Sequence, residues 1–215
     1  MTQPTPVRIG TSDLAVAPLA LGGNVFGWTA DRDTSFEVLD AFVAGGGNFI
    51  DTADGYSAWE PGNTGGESET IIGEWLGARG GRDRVTIATK VSSHPEFSGL
   101  AATNVLAAAD ASLGRLGTDH IDLYYAHFDD ADTPLAETVA AFSSLVDAGK
   151  VRAIGVSNYT ADRVAEWFRI ARDGGYHLPV ALQPHYNLVE RGFETNGLRE
   201  VAEAEGLSVI PYFSL

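Results

Sequence analysis

Asp51, Tyr56, Lys90 and His127 are the side chains of this sequence best suited to moving a proton. Each sits where an apolar run stops: "FID" and its turn "TADGY", then "VTIATK", then "IDLYYAH". A free tyrosine titrates near pH ~10, too high to exchange protons readily at neutrality. An ammonium beside the phenol lowers that value, and a carboxylate beside the ammonium keeps it charged and in place. Asp51, Lys90 and Tyr56 together would therefore make a tuned proton donor. His127 could share a hydrogen bond with the oxygen that receives the proton. Taken singly, each residue has a plainer reading: a strand-end lysine reaching for water, a satisfied histidine, a turn aspartate, a packed tyrosine. Complementary groups gathered on one rim would make a site.

The elements that must position them can be read from periodicity. Short apolar or β-branched runs at 18–21, 48–51, 85–90, 121–127, 151–157, 180–186 and 208–213 read as strands buried on both faces of a parallel sheet. Amphipathic helical patterns lie between them. Thr34 and Glu37 suggest a capping box, Thr133 with Pro134 a helix start, and Thr160 a cap. Gly117, Gly149 and Gly174 fall where helices should stop. The segment from "HPEFSG" onward reads as a loop.

The strand ends near 23, 51, 90, 127, 157, 186 and 213 are spaced by 28, 39, 37, 30, 29 and 27 residues. Such βα units point to a (β/α)8 barrel or a doubly wound sheet. "LGGNVFG" after the first strand lacks the G-x-G-x-x-G that a doubly wound nucleotide fold wants, which favours the barrel. Ahead of it, Val7, Ile9, Leu14 and Val16 flank "GTSD" as an N-terminal β-hairpin placed to close the barrel floor. The expectation is an α/β TIM barrel occupying residues 1–215 as a single domain. Seven of its eight βα units are present, so the chain reads as C-terminally truncated.

Barrel chemistry sits at the C-terminal ends of the strands. Asp51, Lys90, His127, Ser157 with Asn158, Gln183 with His185, and Tyr212 all fall at or near those ends. Composition narrows the partners. The 215 residues are 44% apolar, enough for one sizeable core, and no apolar run is long enough to span a bilayer. A formal net charge of −15 argues against nucleic acid and anionic membranes, and sits against a phosphate-bearing ligand. With no cysteine there is neither a disulfide framework nor a thiolate metal site; no metal is expected, and a cytoplasmic location fits.

"FIDTADGY", "IATK", "YYAH", "GVSN" and "QPHYN", in this order and spacing, resemble the aldo-keto reductase superfamily over essentially the whole chain. "GGNVFGW" and "YSAWEPGNTGGESE" are most similar to its bacterial branch related to potassium-channel β subunits. The resemblance implies a catalytic tetrad of Asp51, Tyr56, Lys90 and His127. Ser157, Asn158 and Gln183 would hold a nicotinamide carboxamide, and Tyr212 would stack on the ring. Trp28 and Trp59 would line the substrate pocket, with His185 structural. It implies an NADP-dependent reductase of a small-molecule aldehyde or ketone, NAD not being excluded. Family members continue with a basic segment that grips the cofactor phosphate, so a companion C-terminal fragment is expected.

Two other readings remain at the level of sequence. One is a nucleotide-binding regulatory or sensing subunit with negligible turnover. The other is a Schiff-base aldolase using Lys90, against which "GVSN" and "QPHYN" weigh.

Overall fold

The apolar runs become strands because neither face of them offers a polar side to water. A computed structural model describes residues 5–214. An antiparallel hairpin, β1 (Val7–Arg8) and β2 (Ala15–Val16), comes first. Then follow β3 (Ala20–Gly22), α1 (Arg32–Ala44), β4 (Phe49–Asp51), α2 (Glu67–Arg79) and β5 (Thr86–Val91). A second small hairpin, β6 (Ser93–His94) and β7 (Phe97–Ser98), precedes α3 (Ala102–Leu116) and β8 (Ile121–Ala126). The chain continues through α4 (Leu135–Asp147), β9 (Val151–Ser157), α5 (Ala161–Gly174), β10 (Pro179–Gln183), α6 (Leu198–Glu205) and β11 (Ser208–Val209).

Seven strands pair in parallel in the order β3-β4-β5-β8-β9-β10-β11. The sheet is curled. Four strand steps separate β4 from β10, which in a flat sheet would be about 19 Å. Yet Gln183 on β10 bonds Asp51 on β4 at 2.9 Å. Inside the curl, Phe49, Ala88, Leu123, Tyr125 and Ala181 pack with Ile9, Leu14 and Val16 of the first hairpin, which closes the floor as expected. Gly10 lets the hairpin seat closely: its φ is +50°, and a Cβ there would lie 2.4 Å from the Val180 carbonyl oxygen. Outside, Ile50, Ile87, Tyr124 and Leu182 meet a helical layer that includes Leu39, Val105, Phe142 and Trp167. Parallel strands inside and helices outside make this the (β/α) barrel architecture, with seven of its strands among the described residues.

Several boundaries differ from the sequence reading, for local reasons. The sixth strand stops at Gln183 and the seventh at Val209, short of the expected 186 and 213. Pro184 and Pro211 have no N–H to continue the ladder. Isolated bonds persist beyond, from Ile210 N to Leu182 O and from Tyr212 N to Pro184 O. Helix α1 begins at Arg32 because Asp31, rather than Thr34, is its N-cap; Asp31 Oδ1 accepts from Thr34 N at 2.9 Å. Pro134 sits at the N-cap of α4, one place earlier than expected. Thr160 caps α5 as read, its side chain accepting from Arg163 N. Gly117 caps α3 in the left-handed conformation. The segment read as a loop holds β6 and β7.

Candidate active site

The strand register sets the site. Asp51 closes β4 and pairs with Ala88 of β5, placing Lys90 one pleat further along the same rim. Lys90 pairs with Tyr125 of β8, and His127 follows directly after that strand, its N–H bonded to Val91 O at 3.0 Å. Ser157 closes β9 and Gln183 closes β10. Tyr56 arrives on the turn after β4.

Lys90 is the centre of the cluster. It is wholly buried, and its ammonium donates to Asp51 Oδ2 at 2.6 Å, Tyr56 Oη at 2.8 Å and the Thr52 carbonyl at 2.8 Å. All three ammonium donors are thereby used. Burial acts to lower the lysine's pKa, but Asp51 and Tyr56 outweigh it and the net shift is upward. The ammonium is therefore charged at neutral pH.

The phenol departs from the sequence expectation. Lys90 does pull the Tyr56 pKa down, but burial and the Asp51 charge push it up, and the result lies above the ordinary value. Desolvation disfavours the phenolate more than the ammonium favours it. Tyr56 thus carries its proton at neutral pH, its oxygen accepting from Lys90.

His127 is buried, and burial followed by the Lys90 charge lowers its pKa to about 3. The ring is neutral at pH 7. Its Nδ1 lies 3.1 Å from Ser93 Oγ, and its ring centroid 5.9 Å from that of Tyr56. Ser93 did not emerge from the sequence, because it sits on the unforeseen β6–β7 hairpin.

Asp51, Tyr56, Ser93 and His127 border a cavity of about 920 Å³ whose wall also includes Ser157, Asn158, Gln183 and Tyr212. At its mouth Trp28 and Trp59 meet edge-to-face at 5.6 Å, and Tyr56 stands 6.2 Å from Trp59. Both tryptophans are exposed, as are Phe128 and Phe213 on the same cavity. Exposed aromatic side chains clustered on a concavity suit an apolar ligand.

A model of the Aldo/keto reductase family matches residues 18–215, nearly all of the barrel just described. The chain belongs to the aldo/keto reductase family. Among its relatives, norsolorinic acid reductase B of Dothistroma septosporum is 34% identical over 95% of this chain and 55% of that protein. Protein tas of Escherichia coli K12 is 34% identical over 97% of this chain and 67% of its own length. An uncharacterized 11.2 kDa protein of Pseudescherichia vulneris is 58% identical over 40% of this chain and 84% of that one. The chain spans about half the length of the norsolorinic acid reductases it matches.

Whether this reductase-family chain can seat a nicotinamide is a question about its donor set. A carboxamide needs an acceptor for its amino group and a donor for its oxygen. Ser157, Asn158 and Gln183 supply one hydroxyl and two amides on one cavity wall, so the residue types fit. They are also bonded to one another and to the tetrad. Asn158, at φ +56°, donates from Nδ2 to the His127 carbonyl at 2.9 Å and accepts from Tyr212 Oη at 2.9 Å. Ser157 donates to the Gln183 carbonyl, and Gln183 Nε2 donates to Asp51 Oδ1. Tyr212 stacks on His185, with centroids 5.0 Å apart and planes at 12°. One face of that ring is covered by protein while the ring borders the cavity. Among the described residues, no lysine or arginine side chain lines the cavity, Lys90 being sealed beneath it.

Proposed function

We propose that this protein is a nicotinamide-dependent oxidoreductase that reduces an aldehyde or ketone to an alcohol. The observation that carries this reading is the Lys90 ammonium, buried and shared between Asp51 and Tyr56 at the foot of an aromatic cavity. Ser157, Asn158, Gln183 and Tyr212 would hold the nicotinamide, which would supply the hydride. Tyr56 gives its hydroxyl proton to the carbonyl oxygen, and Lys90 stabilises the phenolate left behind. His127 donates from Nε2 to the same oxygen in the tautomer whose Nδ1 accepts from Ser93. Being neutral, it offers a hydrogen bond without competing as an acid. Trp28 and Trp59 bracket the organic part of the substrate.

Family membership supports the reaction class, and relatives named as reductases point the same way. NADP rather than NAD follows from the family resemblance. The test is consumption of NADPH by the purified protein dependent on 4-nitrobenzaldehyde, with NADH as the comparison. Nitrobenzyl alcohol formed in step with NADPH consumed is the expected result. Cofactor binding without aldehyde-dependent turnover would leave a nucleotide-binding protein and refute the reductase.

A further inference from the structure

The strands that carry the candidate site have a second polar cluster on their opposite face. Pairing between β4 and β5 continues past the end of β4, with Thr52 N bonded to Ala88 O at 2.8 Å and Asp54 N to Lys90 O at 3.1 Å. Side chains alternate along this extension. Asp51 points into the barrel, whereas Thr52 and Asp54 point out toward α2 and α3. Thr52 meets Ser68 of α2 at 2.8 Å.

Asp54 finds nothing comparable. It is wholly buried, and neither carboxyl oxygen has a hydrogen-bond partner. The acid facing it from α2, Glu69, is also fully buried but well served, by Thr89 Oγ1 at 2.5 Å and Arg115 Nε at 2.6 Å. Arg115, from α3, is thereby committed to Glu69. Lys90, from β5, is committed to Asp51 and Tyr56. Tyr124, from β8, contributes a buried hydroxyl that is itself unpartnered. Every cation near Asp54 already has another partner.

A buried carboxylate without donors is strongly disfavoured, and the group keeps its proton instead. Burial and then the Glu69 charge raise the Asp54 pKa to about 8, with the Arg115 and Lys90 charges pulling down without offsetting them. We propose that Asp54 is a positioning residue: as a neutral acid it lets the turn bearing Tyr56 lie against β5, and its ionisation releases that turn and withdraws Tyr56 from Lys90. In this movement residues 52–56 peel from β5, which breaks the two backbone bonds just named and lets water reach Asp54. Gly55 links this movement to the histidine. A Cβ at Gly55 would lie 2.7 Å from Ser93 Oγ, and Ser93 holds His127. The consequence for catalysis rests on the proton-donor reading of Tyr56. The movement itself does not.

Carbon-13 NMR of protein labelled at aspartate carboxyls and tyrosine rings tests the movement without cofactor or substrate. The Asp54 carboxyl should titrate near pH 8, and the Tyr56 ring signals should shift with the same midpoint. Asp54→Asn, neutral at every pH, should abolish that Tyr56 transition. Glu69→Gln should move both midpoints together to lower pH. An Asp54 midpoint near the ordinary value of about 4 would overturn the proposal. So would a Tyr56 transition that persists in Asp54→Asn, or one that stays put while Glu69→Gln moves the Asp54 midpoint. Should Asp54→Asn fail to fold, the wild type and Glu69→Gln decide the matter by themselves.

Discussion

Gln183 donates from Nε2 to Asp51 Oδ1 at 2.9 Å, across the barrel from β10 to β4. Lys90 takes the other oxygen, so the two bonds together fix the plane of the carboxylate. The residue that family resemblance assigns to a cofactor carboxamide is thus also tied to the cluster of Asp51, Lys90 and Tyr56.

Removing that bond should therefore be felt on both sides. Gln183→Leu is expected to weaken NADPH binding and, at saturating cofactor, still to lower kcat by roughly ten- to a hundredfold, on the scale of one lost buried hydrogen bond to a charged group, about 1.5–3 kcal/mol. Fluorescence titration and initial rates on the same preparation separate the two effects. A loss confined to cofactor affinity would show that the Asp51 contact is incidental.

The charges around Tyr56 act with opposite signs. Lys90 lowers the phenol's pKa and Asp51 raises it. In the Asp54→Asn background, which removes the transition assigned to Asp54, Lys90→Met should move the alkaline decline in carbonyl reduction to higher pH while reducing the rate. Asp51→Asn should move it to lower pH. A pH–rate profile for each variant checks this, and shifts in the same direction would contradict the electrostatic picture.

His127 should leave a mark on stability. Its folded pKa, about 3, lies below the ordinary value of 6.5, so between these the unfolded chain binds a proton that the folded protein does not. Stability attributable to His127 is then full above about pH 6.5 and falls as pH drops toward 3. Urea denaturation midpoints for wild type and His127→Gln should diverge less as pH is lowered through that window. A difference independent of pH would mean that the ring is not buried neutral.

The cavity should discriminate by charge. It is bordered by Asp51 and aromatic rings, with no lysine or arginine at its surface among the described residues, in a chain of net charge −15. Methyl 4-formylbenzoate should be preferred over 4-carboxybenzaldehyde by roughly tenfold or more in kcat/KM, equivalent to about 1.4 kcal/mol. Equal values would show that the ring carboxylate stays in water and that Trp28 and Trp59 do not enclose the substrate.

The barrel and the positions of Asp51, Lys90 and His127 on its rim were legible in the sequence because a parallel strand buried on both faces announces any polar residue at its end. Asp51, Lys90 and His127 interrupt such runs, and the strand register brings them together. What hid was whatever depends on contacts between distant segments. Ser93 lies on a hairpin of two-residue strands too short to have a period. The bond from Gln183 to Asp51 was hidden because it spans 132 residues. Asp54 was invisible as an outward-facing acid because β4 keeps pairing after its apolar run has ended. The direction of the Tyr56 shift was misread for a related reason: the neighbouring charges could be named from sequence, but the depth of burial that outweighs them could not.

The central claim is that Tyr56 is the proton donor in carbonyl reduction, and Tyr56→Phe tests it most directly. The substitution removes one hydroxyl and keeps the ring that packs near Trp59. Single-turnover reduction of 4-nitrobenzaldehyde by protein saturated with NADPH isolates the chemical step from binding and release. The account predicts a rate at least about a hundredfold below wild type, as for loss of a general acid, with the NADPH dissociation constant unchanged. A Tyr56→Phe protein that reduces the aldehyde at near wild-type rate would contradict it.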